Sequence, residues 1–204
     1  LFMIKNLNIL VVLLLSINCK AQSPILDISD SGTGLPNGYY LRDNNNLLNT
    51  FEGTYQYTNG NTILKIVLVK KIQQYNQEFY EDLIIGEYQY IENGIEKINT
   101  LTEINNVYIE QRFHKIDSNF LVNNNFKLFP CLDCFLNEKR LSASILDPST
   151  NSYADIVIRK TIINGQEALK INIINFKKGL TIVNGIATES NFSLPLEEYV
   201  LIKQ

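Results

Sequence analysis

Four of the five Asn-Gly dipeptides, Asn59-Gly60, Asn93-Gly94, Asn164-Gly165 and Asn184-Gly185, each stand between two apolar runs. A two-residue hairpin turn of type I′ needs φ > 0 at both central positions, which Asn and Gly tolerate best. Pro148 to Asn151 supplies a fifth turn of another kind. Between the turns the side chains alternate. Leu141, Ala143 and Ile145 oppose Arg140, Ser142 and Ser144, and Leu169, Ile171 and Ile173 oppose Lys170 and Asn172. A period of two is that of a half-buried strand. Leu83-Ile84-Ile85 is apolar on both faces and needs cover on both. Strands are predicted near 53–58, 62–71, 79–91, 95–101, 107–114, 118–122, 126–130, 138–146, 152–162, 167–175, 179–188 and 197–203, and no window of a dozen residues carries a clean helical period. The chain therefore reads as all-β, an antiparallel meander. A meander this long gains by closing into a barrel, because closure removes exposed edges. A β-sandwich is the alternative.

The N-terminal part is of a different kind. Met3 is the sole methionine, Lys5 a positive start, and Ile9 to Leu15 an unbroken apolar run that is too short to span a bilayer. Residues 1–21 are read as a signal peptide and the chain as exported. Cys19-Lys20-Ala21-Gln22 allows cleavage after Ala21. Leu15-Ser16-Ile17-Asn18-Cys19 also resembles a bacterial lipobox, with Cys19 as the lipidation site, although Asn18 and Ser16 depart from the usual residues there. Both readings stay open. Residues 22–50 read as an irregular lead-in broken by Gly32, Gly34, Pro36 and Gly38, with a helical turn at Leu47 to Phe51. Residues 51–204 form one all-β domain of a size that supports a real core.

Charge narrows the partners. The formal net charge is −3, and losing Lys5 and Lys20 with the leader makes the remainder more acidic. A nucleic-acid binder would carry a basic face, so none is expected, and membrane contact is expected only through a lipid on Cys19. Of the three cysteines, Cys131 and Cys134 can pair and Cys19 is left over. In an oxidising compartment two close cysteines are most simply a disulfide. Redox activity would need a helix start after the motif, but Phe135-Leu136-Asn137 opens no helical run. Zinc would need two further ligands, and His114 is the only histidine. Free thiols are the remaining reading.

No catalytic residue is expected. His114, flanked by charges in Glu110-Gln111-Arg112-Phe113-His114-Lys115, reads as an exposed strand residue, and there is no nucleophile elbow. Glu81-Asp82 and Glu197-Glu198 are neighbours that point to opposite faces. Asn59-Gly60-Asn61 lacks the acids of a calcium loop, and Gly32-Thr33-Gly34 lacks the strand–helix setting of a phosphate loop. Tyrosines 39, 40, 55, 57, 80, 88 and 90 could line a binding face or simply serve as strand residues. No cofactor and no metal are implied.

Phe51-Glu52-Gly53-Thr54-Tyr55 resembles the Gly-x-Trp first strand of lipocalin-like barrels, with Tyr55 in the Trp position. The leader ending Cys19-Lys20-Ala21-Gln22, the Gly53 to Asn61 hairpin, Tyr80-Glu81-Asp82-Leu83-Ile84-Ile85-Gly86-Glu87-Tyr88 and the close at Leu194-Pro195 to Tyr199-Val200-Leu201-Ile202-Lys203 together resemble uncharacterised exported lipoprotein families of Flavobacteriia (Bacteroidota), whose function is unknown. That resemblance implies an outer-membrane lipoprotein or a periplasmic or secreted protein, and no activity. The expected role is a non-catalytic cell-envelope β-domain binding a small apolar ligand or another envelope protein. A structural lipoprotein without ligand is the alternative, and a carboxylate-based hydrolase stands behind both.

Overall fold

The computed structural model describes residues 24–29, 35–177, 179–183 and 186–204, and only the backbone of those from 175 to 190. Residues 1–21 with Cys19, Gly32-Thr33-Gly34 and the Asn184-Gly185 turn lie outside the described residues.

Local turn chemistry sets the strand order. Asn93 (φ 51°) with Gly94 (φ 81°), and Asn164 (φ 50°) with Gly165 (φ 79°), are the two-residue positive-φ turns expected of type I′. The first hairpin differs by one position. Asn59 pairs with Thr62, so Gly60 (φ 58°) and Asn61 are its central residues, and Gly leads as in a type II′ turn. Pro148–Asn151 joins the paired ends Asp147 and Ser152.

Among the described residues thirteen strands result. β1 Ile25–Asp27 and β2 Tyr40–Arg42 lie in the lead-in; β3 Gly53–Asn59, β4 Thr62–Tyr75, β5 Tyr80–Glu92 and β6 Ile95–Asn99 follow. Then come β7 Ile116–Val122, β8 Arg140–Asp147, β9 Ser152–Ile163, β10 Gln166–Lys177, β11 Gly179–Val183, β12 Ile186–Ser190 and β13 Glu198–Lys203. Eight of them, in the order β5-β4-β3-β13-β10-β9-β8-β7, close into a ring when β7 pairs back onto β5 through Ile116↔Gly86 and Ser118↔Ile84. The chain is thus an all-β protein built on a closed eight-stranded antiparallel barrel, and the sandwich alternative falls. β5 holds the closure together. One flank pairs with β4 along its length, while the other meets β2, β7 and β6 in turn.

Three stretches depart from the alternation reading. Residues 107–114 and 126–130 are loops, the first carrying a single-turn 3-10 helix at Gln111–Phe113. The run 179–188 is the separate hairpin β11–β12. In the lead-in, β1 and β2 pair in parallel and β2 extends the pairing to β5. The expected helical turn is the 3-10 helix Leu48–Phe51.

Among the described side chains the lumen is packed, Ala143 and Ile173 keeping 7% and 6% of their accessible area. Tyr55, Ile66 and Tyr88 lie in one register row, Leu141, Ile158, Ile171 and Tyr199 in another, and all are buried. Leu48 and Phe51 join the core where β3 starts, and Leu194, just before β13, joins it at the opposite end. A water-sized void would leave accessible area on its lining. Tyr55, Leu64, Ile66, Leu68, Tyr88, Ile156 and Leu169 keep at most 1%. Gly86 leaves the space that its two partners fill. A Cβ there would sit 2.6 Å from Leu68 Cδ2 and 3.0 Å from the Val67 carbonyl oxygen.

Candidate functional site

Among the described residues, clefts open to a ligand lie outside the barrel, where residues 123–139 leave β7 and cross the outer wall before entering β8. Cys131 and Cys134 are joined by a disulfide with their Cα atoms 5.4 Å apart. Asn124 Nδ2 donates to the Cys131 and Cys134 carbonyls at 2.8 and 3.0 Å, so the tied turn is fixed to the start of its own loop. Phe126 meets Phe120 edge-on at 5.5 Å and Phe129 at a tilt at 5.6 Å between ring centres. Arg159 of β9 then clamps the far side. Its Nε donates to Glu138 at 2.5 Å and its Nη1 to Asp133 at 2.7 Å. The guanidinium holds both carboxyls below their ordinary values.

Beneath the loop lies Arg140, the first residue of β8, only 4% exposed. Both of its hydrogen bonds come from Nη2 and end on neutral acceptors, the Phe129 carbonyl at 2.8 Å and Asn124 Oδ1 at 3.2 Å. Its Nε is buried without a partner. Burial pushes its pKa down. Two clefts flank the loop there and share Pro130, Arg140, Val157 and Asn172. One, of about 420 Å³, adds Leu128, Phe129, Ile173 and Ile174; the other, of about 250 Å³, is edged by Asp133, Lys170 and Glu198. Leu132, Phe135 and Leu136 of the same loop are exposed.

The donor atoms of Cys131, Asp133 and Cys134 lie within 4.8 Å of one another. The disulfide consumes both sulfurs, so a metal would find thiolates only in the reduced protein.

His114 is a correction. It is not a surface residue but is buried. Its Nδ1 lies 2.7 Å from Glu87 Oε1, and neither side chain is exposed. The short helix at Gln111–Phe113 turns Phe113 outward, 51% exposed, and His114 inward, which inverts the usual polarity. Glu87 Oε2 and His114 Nε2 have no partner, and the Tyr108 ring meets the imidazole edge-on at 4.8 Å. A pair sealed in this way meets no substrate while the loop is in place.

Glu81, Asp82 and Asp43 are held in hydrogen-bond and ion-pair networks. Glu81 and Asp82 point apart, as expected. Glu81 receives Arg112 Nε at 2.7 Å and Nη2 at 2.6 Å, and Arg112 also reaches Asp117 at 2.6 Å. Asp82 accepts from Tyr40 Oη at 2.6 Å, Gln73 N at 2.9 Å and Asp43 N at 3.0 Å. Those bonds tie the lead-in to the bulge in β4. Asp43 accepts from Lys70 at 2.8 Å and from the Leu47 and Leu48 amides. A polar cleft of about 440 Å³ opens beside them, but its two buried acids already have their partners. Glu197 and Glu198 are exposed. Four of the tyrosines share the lumen face, Tyr55 and Tyr88 in one register row and Tyr57 and Tyr90 in the next, where they pack as core. Tyr55, Tyr88 and Tyr90 are in the core, Tyr40 serves Asp82, and Tyr57 meets Tyr199 edge-on at 5.1 Å.

Sequence reasoning missed Arg140, Glu87 and the Arg159 clamp. One signal was available. Glu81, Asp82 and Glu87 bracket a run apolar on both faces, and buried acids call for hydrogen-bonding partners, which Arg112, Tyr40 and His114 provide. Arg140 gave no such sign, since an alternating strand normally sends its arginine to water.

No curated protein and no solved structure matches the chain significantly. A family model does so over residues 3–204, nearly the whole chain, and the chain belongs to that family of unknown function, DUF6705.

Proposed function

We propose that this is an exported, non-catalytic envelope barrel that carries a small apolar ligand on its outer wall, not in its lumen. One observation carries the reading: the lumen side chains Tyr55, Leu64, Ile66, Leu68, Tyr88, Ile156 and Leu169 keep at most 1% of their accessible area, whereas a cleft of small-molecule size, about 420 Å³, lies with a smaller one beside the disulfide loop. Export rests on the leader, and Cys19 is the proposed anchor. Catalysis has less support. The sole histidine is sealed against Glu87, and Glu81 and Asp82 are each held in a structural network. A second reading, docking of another envelope protein, is favoured by the exposed Leu132, Phe135 and Leu136.

Titration with a neutral apolar fluorophore such as N-phenylnaphthylamine tests the reading. Saturable binding at one site is expected, weakened by Leu128→Glu and Ile174→Glu, whose positions are exposed, and retained in Ala143→Val inside the barrel. Binding lost only in Ala143→Val would move the site into the lumen. The intact mass of native protein from the envelope tests export. It should begin at acylated Cys19 or at Gln22; a mass that retains Met3 to Ala21 would contradict export.

A further inference from the structure

We propose that the wall clefts are a site for a small amphiphilic carboxylate, its head on Arg140 and its hydrocarbon against Leu128, Pro130, Val157 and Ile174. The inference rests on the outer-wall reading above and adds the chemistry of the ligand. A guanidinium has five donors, yet this one spends only Nη2, on two neutral oxygens. Nε is buried without a partner, and no described carboxylate lies within 4.0 Å of the group. Burying a cation costs free energy unless an anion or a full set of acceptors compensates it. The acids nearby are committed elsewhere: Glu138 and Asp133 to Arg159, and Glu198 to Lys170. The site thus supplies a cation with no carboxylate in contact, Glu138 acting on it only from beyond ion-pair distance.

The surroundings select the kind of anion. The smaller cleft is lined by three cations, Arg140, Arg159 and Lys170, and two acids, Asp133 and Glu198, so a monoanion balances its lining and a doubly charged phosphate exceeds it. The larger cleft adds Leu128, Ile173 and Ile174 and suits a short hydrocarbon. Its volume of about 420 Å³ is that of a small-molecule site. An extended peptide has less to hold. β8, β9 and β10 are each paired on both sides, so no main-chain ladder is open there to another strand.

The test uses the full, disulfide-intact chain and calorimetric titration with octanoate, octanol and the dipeptide acetyl-Leu-Phe bearing a free carboxylate. Octanoate should bind on the order of tenfold more tightly than octanol, the scale of one hydrogen bond to a charged group. Arg140→Leu should abolish that preference while octanol still binds, and Arg140→Lys should keep part of it. If neither Arg140 variant folds, the octanoate-to-octanol ratio on the native protein still decides. Equal binding of octanoate and octanol would overturn the carboxylate assignment and leave the outer-wall reading standing. Binding of neither would overturn both. Tighter binding of acetyl-Leu-Phe than of octanoate would overturn the small-amphiphile assignment in favour of a protein C-terminus.

Discussion

The lumen of the barrel and its outer wall under residues 123–139 are built from the same strands, yet they solve burial in opposite ways. In the lumen, β8 and β9 present Leu141, Ala143, Ile145, Ala154, Ile156 and Ile158. None has a polar side-chain atom, and packing alone holds them. On the wall the intervening residues include Arg140 and Arg159, which are satisfied through hydrogen bonds and ion pairs, and in the case of Arg140 incompletely. An apolar core is complete when its volume is filled. A buried polar region is complete only when every donor has an acceptor. The filled region therefore supplies stability, and the unfinished one is the place to look for a partner.

The largest predicted effect sharpens that contrast. Ile156→Ala empties part of a sealed lumen and should cost about 2–5 kcal/mol, whereas Leu132→Ala, at a fully exposed position, should stay within about 0.5 kcal/mol in denaturant unfolding. Comparable losses at the two sites would break the comparison. Gly86→Ala probes the lumen from the other side. Its new methyl meets Leu68 and the Val67 carbonyl, so a loss of about 1–3 kcal/mol is expected. A neutral result would mean that the interior has slack.

Joint replacement of Cys131 and Cys134 by Ser acts on the wall alone. The closed loop is very short, so constraint of the unfolded chain accounts for about 2 kcal/mol or less. Circular dichroism should show an unchanged barrel, and apolar-probe binding should weaken. The smallest effect is electrostatic. Arg159 holds the Glu138 carboxyl below its ordinary 4.5, so the pair's contribution is complete above that pH and is lost as pH falls through the folded value. Glu138→Gln should flatten the loss of stability below about pH 4.5, by no more than about 1 kcal/mol. A variant that loses stability with acid as steeply as the native protein would show that the pair contributes nothing.

The barrel was legible because its information is local. Asn93-Gly94 and Asn164-Gly165 set turns, and alternation through 141–145 and 169–173 set which face is inside. Closure was legible only as a tendency, since β13 meets β3 across the whole domain and β7 meets β5 across the intervening β6 and loops. Residues 107–114 and 126–130 carry strand-like apolar residues but fold as loops, because side-chain contacts override their propensity: Arg112 with Glu81, His114 with Glu87, and Phe126 between Phe120 and Phe129. Those pairings span up to 31 positions, and no local pattern encodes them. The Cys131–Cys134 disulfide was readable from spacing, whereas the burial of Arg140 beneath it was not.

Methyl NMR tests the central claim, that free space lies on the wall and the lumen is full, most directly. During titration with a neutral apolar probe, the methyl signals of Leu128, Val157 and Ile174 should shift saturably, while those of Leu64, Ile66 and Leu169 stay fixed. Saturable shifts at Leu64, Ile66 and Leu169 with none at Leu128, Val157 and Ile174 would contradict the account and place the ligand inside the barrel.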